Sequence, residues 1–334
     1  LGQRPVAQAR AALVVALGDP AVGATAAQAL AAQGPAAQPD LQAATTADKP
    51  LVRRWAIAGL VLLGGTSTTA LVAPLLDDPV PAVRKAAAYG LGQLQAREQA
   101  TRLGELLARD PDPAVRRSAA QALGRTGGDA APPALRHGLT DPQRPVVEAS
   151  LEALARLTPP VAEPWRQAAL ALVDGDWDRV AQGEEAAADL LLELLARPGR
   201  DPRDLERRSQ AATLLGRFGD PRAEAPLLEL LATEEPTLQA AAAESLGRLG
   251  SHRARPALLS LTTAPALAVR AAALEALGRI GDATDLPRLE QALEPAGPPE
   301  IHRAVLRGLP GLGPAALALL DEQRRAATDP ELRR

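Results

Sequence analysis

Cysteine and methionine are both absent from the 334 residues, and aromatic side chains make up only 1% of them. Without cysteine there can be no disulfide, no thiolate metal site and no thiol nucleophile, and the chain suits a reducing or an oxidising compartment equally. With no methionine even at position 1, the numbered chain is expected to be a piece of a longer product. Scarce aromatics leave Ala, Leu and Val to build the core, and at 46% hydrophobic content such a core suits closely packed helices. No apolar run approaches the ~18 residues that read as a membrane span, so none is expected. Lys49 and Lys85 are the only lysines among 37 basic residues, which, with abundant Ala, Pro and Gly, resembles the usage of a GC-rich bacterial genome. A formal net charge of −3 offers no whole-chain attraction for a polyanion, so no nucleic-acid partner is expected.

What is present is a period. Leu30, Leu60, Leu91, Leu123, Leu154, Leu215, Leu246, Leu277 and Leu309 recur about every 31 residues, with one doubled interval after Leu154. Each lies in the same phrase, clearest at 115–127 (VRRSAAQALGRTG) and 269–281 (VRAAALEALGRIG). A period of this length marks a solenoid of stacked supersecondary units, which grows along one axis and escapes the usual length-to-domain rule. Turns such as Asp19-Pro20, Asp110-Pro111-Asp112-Pro113 and Asp141-Pro142 open the copies, because Asp caps a helix and Pro is tolerated in its first turn. Inner helices are predicted to start near Val22, Val52, Val83, Val115, Val146, Arg207, Leu238, Val269 and Ile301 and to end at Gly34, Gly64, Gly127, Gly219, Gly250, Gly281 and Gly313. A left-handed C-cap favours Gly there. Outer helices return the chain, for example at 70–76, 101–108, 223–231 and 254–261.

The domain organisation expected is one solenoid over 1–334: regular repeats at 1–157, an irregular repeat or insertion at 158–204, and further repeats at 205–334. The irregular segment is read as an apolar helix at 161–173, an acidic loop and a helix at 184–196 that serves as outer partner of the inner helix at Arg207. An outer helix at 314–325 follows the last copy, and Asp329 to Arg334 repeat the opening of a tenth inner helix, so the parent chain is expected to continue.

Asp-Pro-x-Val-Arg, paired small residues and Ala-Leu-Gly-x-Leu-Gly resemble HEAT-like repeats of the bacterial phycobilisome-lyase type across nearly the whole chain outside 158–204. The resemblance implies an all-α, right-handed α-α superhelix of about nine to ten helical hairpins. It also implies a non-enzymatic scaffold whose concave face binds another protein or subunit, without a cofactor. Alternatives are a chromophore-handling subunit like the bilin lyases and, further off, a nucleic-acid-binding HEAT-like protein. In related repeats a turn Asp and a helix Arg form a ladder between units. Arg53, Arg84, Arg116, Arg208 and Arg270 hold the Arg position here, with Asp48, Asp78, Asp112 and Asp141 among the turn acids. Copies with Val147, Gln239 or His302 in place of Arg should have weaker ladders.

Function is sought on the face opposite the Ala/Leu stripe, at the third, sixth and tenth positions after each inner-helix start. Trp55 and Tyr89 fall there in adjacent copies, and with Gln121 they form a predicted partner patch, exposed aromatics being enriched in interface hot spots. The tenth position carries Arg125, Arg156, Arg217, Arg248 and Arg279. Glu152, Glu244 and Glu275, four residues ahead, should neutralise three of these, leaving Arg125 and Arg217 as contact candidates for an acidic partner. In the acidic loop, Asp174, Asp176, Asp178 and Glu185 match a calcium-loop spacing, but Arg179 stands where that loop requires Gly; a solvated acidic turn is the stronger reading. His137, His252 and His302 are isolated, and neither a phosphate loop nor a nucleophile elbow is present.

Overall fold

A computed structural model describes residues 3–157, 163–197, 202–294, 297–314 and 316. Among these residues the chain is a succession of helices and short 3-10 turns with no strand. It divides into two compact units, Leu1–Asp174 and Gly175–Arg334, with the division inside the irregular segment.

The first unit runs α1 (Gln3–Ala16), α2 (Gly23–Ala31), α3 (Gln38–Ala44), α4 (Pro50–Leu63), α5 (Thr66–Val72), α6 (Pro81–Gln93), α7 (Ala100–Arg109), α8 (Pro113–Thr126), α9 (Ala131–Gly138), α10 (Arg144–Leu157) and α11 (Glu163–Asp174). Even-numbered helices from α2 to α10 are the predicted inner ones, each packed on the next. In the second unit come α12 (Trp177–Ala181), α13 (Glu184–Ala196), α14 (Pro202–Phe218), α15 (Glu224–Leu231), α16 (Pro236–Arg248), α17 (Arg255–Leu261), α18 (Leu267–Ile280), α19 (Leu286–Ala292) and α20 (Pro299–Gly308). Here α14, α16, α18 and α20 stack as inner helices, and α13 packs on α14. The all-α stack of helical hairpins expected from the period is therefore present in each unit. The outer helix expected at 314–325 falls almost entirely outside the described residues, as does the tenth inner helix at Asp329–Arg334.

All nine leucines of the column are buried, each contributing roughly 1.5–3 kcal/mol. One start differs from the expected place: α14 begins at Pro202, five residues before Arg207, because Pro fits the first helical turn and Asp204 complements the helix N-terminus. The seven C-terminal glycines all have positive φ, from 65 to 81°. The third inner helix departs from this pattern, for Gln95 occupies the equivalent place at φ 54°.

The Gly of Ala-Leu-Gly does a different job from the Gly that stops the helix. An added Cβ on Gly124 would lie 2.9 Å from Ala153 Cα, and one on Gly247 would lie 2.6 Å from Ala276 Cα. Where a copy carries this Gly, consecutive inner helices thus meet backbone to backbone, and any side chain there would force them apart.

Candidate functional site

The ladder orders the face from which the site rises. Arg53 Nε and Nη2 donate to Asp78 at 2.6 and 2.8 Å. Arg84 donates to Asp110 at 2.7 and 2.9 Å, and Arg116 to Asp141 at 2.8 and 3.0 Å. In every rung the Nη1 group reaches back to two carbonyls of its own turn, such as Asp78 O and Pro79 O for Arg84. Each Asp also accepts a backbone N–H two residues on, as from Val80, Asp112 and Gln143. The arginine therefore ties its own turn to the next repeat's turn through a bidentate, charge-assisted pair.

Two predicted ladder acids are corrected. Asp110 rather than Asp112 takes the rung from Arg84, while Asp112 accepts from Ala114 N–H at 2.7 Å and caps its own helix. Asp48 contributes its carbonyl to Arg53 rather than its carboxylate. Burial is the largest influence on the Asp78 carboxyl and would raise its pKa. Hydrogen bonds from Arg53 and the Val80 N–H, with the charges of Arg53 and Arg84, outweigh that and hold it below the ordinary value. The bonds and charge of Asp78 and Asp110 in turn raise Arg53 and Arg84.

The ladder thins in the second unit. Gln239 keeps the carbonyl bond, to Thr233 O at 2.7 Å, and Arg270 keeps its bond to Ala264 O at 2.7 Å. Thr233 and Ala264 stand where the first unit has Asp78, Asp110 and Asp141. Among the described residues, Arg208 consequently reaches only Leu195 O, at 3.4 Å, and its Nε is buried without an acceptor.

Beside each first-unit ladder Arg stands a second cation: Arg54, Lys85 and Arg117. A step of one residue turns the side chain by about 100°, off the ladder and onto the neighbouring face. All three are exposed. They open onto a groove of about 980 Å³ formed by α4, α6 and α8, whose lining includes Trp55, Tyr89 and Gln121 and no Asp or Glu. The three residues of the predicted patch therefore line one cavity. Two further grooves are smaller, about 440 and 370 Å³.

The two aromatics are held differently. Trp55 is half-buried, its ring fitted against Gly23 of α2, where an added Cβ would fall 2.5 Å from the ring. The Arg54 guanidinium lies 4.8 Å from the Trp55 ring centroid. Tyr89 is 47% exposed; its hydroxyl accepts from Gln93 Nε2 at 2.6 Å, and Arg125 lies 5.2 Å from its ring centroid. Arg125 thus backs Tyr89 rather than lining the groove, and its Nη1 is buried without an acceptor. Such cation–π contacts are worth roughly 0.5–2 kcal/mol and fix the ring orientation.

Arg217 stands exposed on α14 in the second unit and takes no part in this groove. Of the expected neutralising pairs, Arg248–Glu244 forms at 2.6 Å and Arg279–Glu275 at 2.5 Å, whereas Glu152 and Arg156 are both exposed and do not pair. Two acids of the calcium spacing have other partners. Asp174 is engaged by Arg144 at 2.8 Å, Asp176 accepts from Arg179 N–H and caps α12, and that short helix occupies the stretch a calcium loop would need. Among the described residues no group of three or more His, Asp or Glu side chains is placed to hold a metal ion, and no helix is long and apolar enough to cross a membrane.

Sequence reasoning missed Arg54, Lys85 and Arg117. The signal was the doublet, Arg53-Arg54, Arg84-Lys85 and Arg116-Arg117: two adjacent cations on one helix cannot share a ladder, so the second must face elsewhere.

HEAT repeats match at residues 7–91, 68–155, 188–267 and 252–310. No curated protein matches the chain. Similar solved structures include human deoxyhypusine hydroxylase in complex with glycerol, at 23% identity over 73% of this chain and 95% of that one, with a TM-score of 0.33. The CpcE–CpcF complex of phycocyanin lyase from Nostoc is similar at 22% identity, over 81% of this chain and 93% of that one, with a TM-score of 0.32. Kap95p bound to RanGDP is similar at 18% identity, over 99% of this chain and 48% of that one, with a TM-score of 0.42.

Proposed function

Because the chain belongs to the HEAT-repeat family, whose repeated residues serve the stack itself, we propose that it is a non-enzymatic scaffold that docks a partner protein in the α4–α6–α8 groove. The observation that carries this reading is the convergence of Trp55, Tyr89 and Gln121 on one open cavity of about 980 Å³. The chain contains only five aromatic residues, three Trp, one Tyr and one Phe, and two of them line this cavity. Leu62, 58% exposed, adds apolar surface to the same wall. Rigid aromatic anchors beside exposed polar groups are the composition of an interface hot spot.

The test compares proteins that co-purify with the unaltered chain, with Trp55→Ala/Tyr89→Ala, and with Ala82→Phe, which fills an exposed position on the groove wall without removing a core contact. A partner retained by the unaltered chain and lost from both variants, with melting temperatures of the Ala82→Phe and unaltered proteins alike, supports the reading. A partner retained by both variants refutes it.

A further inference from the structure

We propose that the occupant of this groove is an acidic, extended peptide segment whose carboxylates recur at every third residue and meet Arg54, Lys85 and Arg117 in turn. The proposal rests on the docking reading above and names the chemistry of the partner.

The charge argument comes from the contrast between neighbouring residues. Arg53, Arg84 and Arg116 are each saturated by a carboxylate and two carbonyls. Arg54, Lys85 and Arg117, one residue on, are exposed and have no ion-pair partner among the described residues, although acids and bases are nearly balanced at 40 to 37. No acidic side chain lines the groove they share. The column is also bounded. Its equivalent in α10 is Glu148, which pairs with Arg144 at 2.9 Å, and in α2 it is Ala24. Three like charges gathered over three consecutive inner helices and then cut off by an acid define a site of limited length.

Spacing selects the form of the ligand. Stacked helices lie about 8–10 Å apart, which sets the step between successive cations. A polyproline-II segment rises about 3.1 Å per residue and returns to the same face every third residue, a step of about 9 Å. Acids at every third residue therefore keep register with Arg54, Lys85 and Arg117. The residues between them can carry apolar groups onto half-buried Trp55 and exposed Leu62 and Tyr89. A single-stranded nucleic acid would also stack on aromatics, but it needs a basic track along its backbone, and this track ends after three cations.

The experiment uses the intact chain and fluorescein-labelled peptides read by anisotropy. One repeats Glu-Leu-Pro, the second has the same composition with its acids clustered, and the third repeats Lys-Leu-Pro. An oligothymidylate of matched length is the nucleic-acid arm. Expected are preferential binding of Glu-Leu-Pro and weakening as salt rises. Each exposed ion contact should contribute about two- to fivefold, so Arg54→Ala/Lys85→Ala/Arg117→Ala should lose roughly 10- to 100-fold in affinity. Melting temperature should change little in that variant, since Lys85 and Arg117 are exposed and the Arg54 stack on Trp55 is a contact within α4 rather than between helices. The proposal is overturned if the lysine peptide or the oligothymidylate binds as tightly, if clustering the acids has no effect, or if the triple variant binds normally. Should no acidic peptide bind while partner capture still depends on Trp55 and Tyr89, this inference fails and the docking reading stands.

Discussion

Arg116 grips Asp141 through two hydrogen bonds of 2.8 and 3.0 Å, with the Asp141 side chain wholly buried and that of Arg116 only 4% exposed. Two charges withdrawn this far from water depend on one another. Removing the acid strands a guanidinium, and breaking such a pair costs about 3–5 kcal/mol. We expect Asp141→Ala to lower unfolding free energy by that amount. Arg116→Met in the Asp141→Ala background should cost little more, since the stranded charge goes with it. A urea-denaturation double-mutant cycle measures the coupling; additive losses would show that the rung is not a unit.

The rung at Asp78 should make the first unit acid-sensitive. The folded carboxyl titrates below its ordinary value, the Arg53 and Val80 bonds overcoming the opposing effect of burial. Its contribution is then fully present above the unfolded-state pKa of about 3.9 and is lost as pH falls through the lower folded-state value. Arg53 stays charged throughout, so only the acid titrates. The melting-temperature gap between the unaltered protein and Asp78→Asn should be constant near neutrality and close progressively as pH falls below the unfolded-state value of about 3.9. A gap independent of pH would contradict the assignment.

Gln95 invites a stabilising change. Its φ of 54° costs an L-residue roughly 1–2 kcal/mol, and the equivalent Gly127 occupies its own positive-φ turn at 65°. The flexibility Gly adds to the unfolded chain returns part of the gain. Gln95→Gly should therefore raise stability by about 1 kcal/mol, and Gly127→Ala should lower it by a similar or larger amount. Thermal melts of the two variants check the opposite signs; a destabilised Gln95→Gly would mean that the side chain compensates for its backbone.

These features differ in how readily the amino-acid sequence discloses them. Leu30 to Leu309 and the glycines from Gly34 to Gly313 were legible because burial and positive φ each select one residue type at a fixed interval. Trp55, Tyr89 and Gln121 could be placed on one face from helical periodicity alone. The ladder acid was not: in Asp110-Pro111-Asp112-Pro113 either carboxylate fits a helix cap, and only the position of the preceding repeat's Arg84 decides that Asp110 faces it. The rotation separating Arg54 from Arg53 was equally hidden, because both read as helix-surface cations until the first is seen to be consumed. At the calcium spacing, Arg179 stands where such a loop needs Gly, and α12 begins within that stretch.

Arg208 offers the sharpest test of the ladder as a rule. Its Nε is buried without an acceptor, and burial holds its pKa below the ordinary value against the favourable charge of Asp204. The position that would supply its acid is Thr233, whose carbonyl receives the Gln239 amide as Asp78 O receives Arg84. Thr233 spends its hydroxyl on Leu230 O at 2.8 Å, a local bond that leaves Arg208 unserved. Thr233→Asp should place a carboxylate where the first unit has one. A hydrogen bond to a charged group is worth about 1.5–3 kcal/mol, so a net gain of about 1–2 kcal/mol is expected after the lost threonine bond. The gain should vanish in an Arg208→Met background, and it should fade as pH falls from the unfolded-state value of about 3.9 through the lower value the ion pair imposes. Denaturation midpoints of the single and double variants decide it. If the gain survives without Arg208, the added acid acts through the helix N-terminus of α16, and the second unit does not follow the ladder geometry of the first.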